Sequence, residues 1–182
     1  MSAPWSFRAD GGAVDTGPSR QVFAGRYVRV DVQPWRGGEW ETVRRMQAVG
    51  VLPVTPEGDV LLVRQFRPSI GRELTEIPAG IVDRVGEDAR ACAARELREE
   101  TGFRHLAIEP LGGYYSSPGF TDEYVQLFVA ATELEPAGPP EEGIELVRAP
   151  FDEMVRAARA GRVRDAKTAV ALLIAGAKGP QG

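Results

Sequence analysis

Cysteine and histidine are almost missing from this chain: its 182 residues include one of each, Cys92 and His105. A lone cysteine excludes an internal disulfide and a multi-cysteine zinc site. A lone histidine excludes a histidine-rich metal centre and leaves little for a Ser-His-Asp arrangement, so any general base is expected to be a carboxylate. Long apolar runs are missing too. The longest, Ala169 to Ala177, is far too short to cross a bilayer, and the opening MSAPWSFRAD has no apolar secretory segment. A soluble, cytoplasmic protein with no membrane partner is the expectation. Positive charge is not in excess: 22 Lys and Arg face 26 Asp and Glu, for a net charge of −4. That balance offers no broad basic footprint for nucleic acid, so an anionic ligand needs a local basic patch or metal ions.

What is present suits a globular chain. The hydrophobic share of 43% is enough for a sizeable core, and the length fits one domain with a small appendage. No internal repeat or low-complexity tract appears. Residues 1–20 are rich in Gly, Ser, Pro and Asp and are expected to be poorly ordered. Residues 21–47 read as a β-hairpin. Val28, Val30 and Val32 alternate with Arg29 and Asp31, Arg36-Gly37-Gly38 makes a turn, and EWETVRRM returns. Tyr27 and Trp40 lie off the valine face, and a lone hairpin needs a packing partner, either the main domain or a second subunit.

Residues 48–182 read as the main domain. Two β runs flank the turn Pro56-Glu57-Gly58-Asp59, with Arg64 and Arg67 near the end of the second. ELTEIPAG is a short strand, HLAIEPLGGYYSS and EYVQLFVAATEL are β-rich, and IELVRAP is a last strand after a Pro/Gly/Glu-rich loop at 136–143. FDEMVRAARAG and DAKTAVALLIAGA are helices, the second capped by Asp165. Strands, one helix, strands and two helices predict an α+β domain with helices on a mixed or largely antiparallel sheet.

The central helix is the most informative stretch. From Gly80 to Phe103 the chain reads GIVDRVGEDARACAARELREETGF. Ala89, Ala91, Cys92, Ala93, Ala94 and Leu97 suit burial, Glu87 and Asp88 suit a helix start, and Gly102 suits a stop. At about 100° per residue, Glu96, Glu99 and Glu100 share one face. Carboxylates so placed repel one another, and a hard divalent cation offsets that repulsion because Mg²⁺ and Mn²⁺ favour carboxylate oxygens. The plain alternative is a solvated acidic face neighboured by Arg95 and Arg98. Cys92 is read as a small buried residue.

This stretch resembles the Nudix box: a Gly, five residues, Glu, seven residues, then Arg-Glu-aliphatic-x-Glu-Glu-x-Gly-aliphatic or aromatic. Gly80, Glu87, Arg95, Glu96, Leu97, Glu99, Glu100, Gly102 and Phe103 fill it, with six residues rather than five between Gly80 and Glu87. The resemblance implies a Nudix-type α/β/α sandwich around a mixed central sheet. It also implies hydrolysis of a nucleoside diphosphate linked to another group, with Mg²⁺ (or Mn²⁺), two or three ions per site. As metal ligands it implies Glu96 and Glu100, the backbone carbonyl of Ala79, and Glu99 as a bridging or outer catalytic group. Glu87 and Arg95 then orient the loop and helix.

Beyond the box the chain resembles the ADP-ribose pyrophosphatase branch. Pro118 follows Phe103 by fifteen residues inside SSPGFTDE, VRQFRP precedes E-x-PAG, and GRYVRV with GEWETVRR matches the N-terminal hairpin. The branch implies a homodimer whose hairpin contacts the second subunit, with adenine between Tyr27 and Trp40. Glu41 and Arg45 lie beside the base, Arg67 near the phosphates and Glu76 near the substrate. It implies a catalytic base in the loop after the long strand, assigned to Glu142 over Glu141 and Glu145. The plain alternatives are ordinary packing for the two aromatics, strand charges for Arg64, Arg67 and Glu76, and a solvated acidic loop for Glu142. The function implied is divalent-metal-dependent hydrolysis of ADP-ribose to AMP and ribose 5-phosphate. The competing expectations are another nucleotide sugar or a dinucleotide polyphosphate as substrate, or a non-catalytic nucleotide-sensing module.

Overall fold

A computed structural model describes residues 15–178. The poor order expected for residues 1–20 therefore lies mostly outside the described residues. The described chain separates into two compact units, one ending at Arg44 and the other beginning at Arg45.

The first unit contains the expected antiparallel hairpin and adds a strand to it. It is a three-stranded antiparallel sheet of β1 (Arg20–Ala24), β2 (Arg29–Trp35) and β3 (Gly38–Arg44), in the order β1-β2-β3. The run from Gln21 to Trp35 is not one strand, because Gly25 to Val28 turns the chain, with the Gly25 N–H donating to the Val28 carbonyl at 2.8 Å. In the β2–β3 register Trp40 opposes Gln33 and Glu41 opposes Val32. Trp40 thus lies on the face away from Val30 and Val32, and Glu41 lies on the valine face.

The second unit is built on a mixed sheet ordered β10-β5-β4-β9-β8, with β6 on β5 and β7 on β4. Its strands are β4 (Ala48–Val54), β5 (Asp59–Arg67), β6 (Arg72–Glu76), β7 (Ala79–Ile81), β8 (His105–Tyr115), β9 (Tyr124–Thr132) and β10 (Glu145–Pro150). Only β4 and β9 run parallel, and they form its centre. Both strands alternate between two cores. Val49 and Val51 of β4 and Phe128 and Ala130 of β9 meet Cys92, Ala93 and Leu97 of helix α1 (Ala89–Thr101). Leu52, Val125 and Leu127 face the opposite way, onto α2 (Phe151–Arg159) and α3 (Ala166–Lys178) through Phe151, Val155, Ala171 and Leu172. A strand buried on both sides has no polar face, which is why β4 reads as a continuous apolar run. This is the α/β/α sandwich with a mixed central sheet that the sequence predicts.

Helix α1 buries residues at helical spacing, Cys92, Ala93, Leu97 and Glu100, whereas Ala91 is exposed on the outer face. Asp88 caps its start by accepting the Ala91 N–H at 2.8 Å. Glu87 precedes the cap and lies outside the first turn. At the other end of the main domain, Asp165 caps α3, accepting the Thr168 N–H at 2.9 Å. No helix among the described residues is long and apolar enough to cross a membrane.

Candidate active site

The carboxylates of α1 are organised by one guanidinium. Arg95 donates to both oxygens of Glu87 at 2.8 and 3.0 Å, to Glu96 Oε1 at 2.6 Å and to Glu99 Oε2 at 3.0 Å. Its hydrogen bonds to Glu87 lead the causes that raise its own pKa, and they hold the Glu87 carboxyl below its ordinary range. Arg84 reaches the other oxygen of Glu99 at 3.1 Å. The residue that lengthens the loop before the helix does not disturb this clasp. Arg84 to Glu87 form a tight turn, the Glu87 N–H donating to the Arg84 carbonyl at 3.1 Å, with Gly86 at φ 79°. Val85 projects fully into solvent at its tip. A positive φ at the third turn position is where glycine fits, so the added length is absorbed outward.

Gly80 is required by contact. A Cβ there would lie 2.0 Å from Glu96 Oε1, so only a bare Cα lets the helix carboxylate settle against β7. One residue earlier, the Ala79 N–H donates to Glu100 Oε2 at 3.0 Å. In an extended strand the N–H and C=O of one residue point to the same side. The neighbouring ladder bonds to β4 and the segment before it belong to Pro78 and Val82, so Ala79 turns its backbone groups toward α1. Burial raises the Glu96 carboxyl above its usual range despite Arg95. Burial also pushes Glu100 up to about 7, opposed by the Ala79 N–H and reinforced by the charge of Glu96.

The loop at 136–144 is sewn to the end of this helix. The Ala137 N–H donates to the Gly102 carbonyl at 2.8 Å and the Glu141 N–H to the Glu99 carbonyl at 2.9 Å. Gly102 has φ 78°, and a Cβ on it would meet the Gly138 carbonyl oxygen at 2.0 Å, so conformation and closeness both demand glycine. Glu142 sits in the turn from Glu141 to Ile144, exposed, and its carboxylate makes no hydrogen bond or ion pair among the described residues. Glu145 is different: it begins β10 and pairs with Arg64 at 3.4 Å.

Other candidate residues are paired internally. Arg67 grips Glu76 with two hydrogen bonds of 2.6 and 2.9 Å. Lys167 of α3 bonds the same carboxylate and reaches Asp165 at 2.9 Å. Glu76 is only 2% exposed. Burial alone would raise its carboxyl, but the Arg67 hydrogen bonds and the Lys167 charge outweigh burial and hold it below its ordinary range. Lys167 escapes the sequence reading. The cap Asp165 two residues before it was visible, but nothing in the sequence shows that α3 packs its first turn against the end of β6. Arg45 bonds Glu123 at 3.1 Å, and its backbone N–H bonds Asp122 at 2.9 Å, fixing it to the 116–123 loop. In the first unit Tyr27 is 56% and Trp40 44% exposed, Glu41 is exposed, and Arg26 stacks over the Tyr27 ring at 5.0 Å. Sequence and structure together bring Ala79, Glu96, Glu99 and Glu100 to one place, tie Glu142's loop to it by backbone, and leave Tyr27, Trp40 and Glu41 on a separate unit.

Among the described residues no three acidic, histidine or cysteine side chains converge into a ready metal cage. The donors nevertheless fit a hard divalent ion. They are all oxygens, they lie within one helical turn and an adjoining strand, and Glu100 is buried and Glu96 half-buried, both carboxyls raised above their usual range by burial. Glu96 and Glu100 with the Ala79 carbonyl would hold such an ion, with Glu99 beside them.

Comparison with known proteins identifies the family. The NUDIX domain matches residues 44–172, well over half of the chain, and the chain therefore belongs to the NUDIX family of hydrolases. Members of this family generally use divalent metal ions. The "Methanol dehydrogenase activator" of Bacillus methanolicus is 36% identical over 163 residues, spanning 85% of this chain and 88% of that protein. The ADP-ribose pyrophosphatase of Bacillus subtilis (strain 168) is 35% identical over 161 residues, 84% of this chain and 86% of the relative, which bears out the resemblance to that branch. A GDP-mannose pyrophosphatase of Cronobacter sakazakii is 36% identical over 124 residues, 62% of this chain and 64% of the relative.

Proposed function

We propose that this hydrolase cleaves the diphosphate of ADP-ribose, releasing AMP and ribose 5-phosphate, with Mg²⁺ or Mn²⁺ bound at Glu96, Glu100 and the Ala79 carbonyl. The observation that carries the reading is Glu100, a buried carboxylate held by one backbone N–H, with no direct ion pair among the described residues. A hard divalent ion there supplies charge neutralisation to the diphosphate oxygens. Glu142, on a turn tethered to the helix end, takes the proton from water as its oxygen attacks phosphorus and the bridging P–O bond breaks. Arg95 keeps Glu96 and Glu99 turned inward.

Adenine recognition by Tyr27 and Trp40, with Glu41 and Arg45 at the base edge, fits a cytoplasmic homodimer in which the first unit meets a second subunit. Supporting it are the exposed Val22, Phe23, Tyr27, Trp35 and Trp40 of that unit. Arg67 serves the phosphates, its alignment set by Glu76. The GDP-mannose pyrophosphatase relative favours a second reading, hydrolysis of another nucleotide sugar by the same groups.

The test is AMP release from ADP-ribose with Mg²⁺ and then Mn²⁺, alongside GDP-mannose, ADP-glucose and diadenosine polyphosphates. Rapid metal-dependent release from ADP-ribose, with Glu142→Gln losing about a hundredfold or more in kcat at unchanged KM, is expected. Near-normal kcat in that variant moves the base to Glu141 or Glu145. Turnover of GDP-mannose alone selects the second reading, and tight nucleotide binding without turnover selects a sensor.

A further inference from the structure

A second cavity adjoins the carboxylate helix on its other flank. It encloses about 440 Å³ and is lined by Ala94, Arg95, Arg98, Arg104, His105 and Glu133. That size suits a small ligand. Around α1, residues 94, 95 and 98 form one arc and 96, 99 and 100 the next, so Arg95 stands where the two meet. The far wall comes from the start of β8 and the residue after β9, joined where the Glu133 N–H donates to the Arg104 carbonyl at 3.0 Å.

The lining is cationic within a chain of net charge −4. Arg98 and Arg104 are exposed, and among the described residues neither makes an ion pair, whereas Arg95 is already committed to Glu87, Glu96 and Glu99. Glu133 is the only acid on the wall, and it makes no ion pair either. Guanidinium groups converging on one cavity match the oxygens of a phosphate, which accepts paired N–H donors. We propose that this cavity binds a phosphate-type oxyanion through Arg98 and Arg104, beside the guanidinium that holds Glu96 and Glu99. The bound anion draws on Arg95 and loosens its grip on the two carboxylates, so the cavity acts as an effector site for the carboxylate face. The proposal stands whichever diphosphate is the substrate.

The experiment is titration calorimetry of metal-free protein with inorganic phosphate and, separately, AMP. Saturable binding with a dissociation constant of roughly 1 mM or tighter is expected from a few charge-assisted contacts. Arg98→Gln/Arg104→Gln should weaken it at least about tenfold. Both side chains are exposed, so the fold should persist, and metal-supported turnover in phosphate-free buffer should stay near wild type. Glu133→Gln removes the one opposing charge and should tighten binding roughly threefold, a gain that damage to the fold does not produce. Equal affinity for phosphate and AMP makes free phosphate the occupant, and tighter AMP makes it a phosphate ester. No saturation by about 10 mM of either ligand, or unchanged affinity in the double variant, overturns the proposal.

Discussion

Glu76 and Glu100 are both buried glutamates, 2% and 7% exposed, placed on either side of the short step from Ile77 to Ala79. Glu76 has a complete partner set, Arg67 on one side and Lys167 on the other. Glu100 has the Ala79 N–H and, among the described residues, no ion pair, only the more distant charges of Arg67 and Lys167. Burial works against the charge of both, yet one carboxyl ends below its ordinary range and the other is pushed up to about 7. The difference separates an ion pair that finishes the fold from a carboxylate that still needs a cation, and a count of acidic residues would not distinguish them.

The largest expected effect tests that contrast directly. Glu100→Gln should lower metal-supported turnover about a hundredfold or more, while the melting temperature of the metal-free protein holds or rises, because an under-compensated buried charge has gone. A clear drop in melting temperature would make Glu100 structural like Glu76. Next comes Glu76→Gln, which strands Arg67 and Lys167 and should cost about 2–3 kcal/mol in urea unfolding. If stability instead stays put and only KM moves, Glu76 belongs with the substrate. Lys167→Met should cost less, about 1 kcal/mol, because Arg67 keeps its two bonds to Glu76; a loss equal to that of Glu76→Gln would show that Lys167 carries the pair.

The gentlest probe is pH, with EDTA present. Glu100 binds its proton more tightly folded than unfolded, so its contribution makes stability fall as pH rises from the ordinary 4.5 to about 7, and adds no slope above that. Glu76 acts in the opposite sense. Its stabilisation is present above the ordinary carboxylate range and is lost as pH drops through its lowered value. Unfolding measured across this range should decline less steeply between 4.5 and 7 in Glu100→Gln, with Glu96 contributing the remainder, and an unchanged decline would remove Glu100 as a source.

These contrasts also mark how far the sequence could be read. The helix, its cap and stop, and the shared face of Glu96, Glu99 and Glu100 were legible because helical periodicity is local. The order of strands and helices gave an α+β domain, and the resemblance carried by the box implied the α/β/α sandwich. In the first unit the hairpin of β2 and β3 around Arg36-Gly37 was legible, whereas the added strand β1 was not, because the break at Gly25 carries no strong turn signature. The pairing of Arg67 with Glu76 joins residues nine apart across two strands, and Lys167 arrives from 91 residues away. Register and helix docking decide such contacts, and neither is written in local spacing. Glu87's bond to Arg95 did survive the lengthened loop, because the added residue was taken up in a solvent-facing turn.

That same turn gives the protein a convenient place for a reporter. Cys92 is fully buried, burial pushes its thiol up to about 12, and there is no other cysteine. Thiol reagents at neutral pH should therefore leave the native chain unlabelled, since the thiolate is the reacting form. Val85→Cys would create one addressable thiol at the tip of the turn, two residues from Glu87 and outside the packed core. A fluorophore attached there would sit on the loop that Arg95 holds in place. Its emission would then follow the rearrangement of the Arg95 clasp as ions or nucleotides bind.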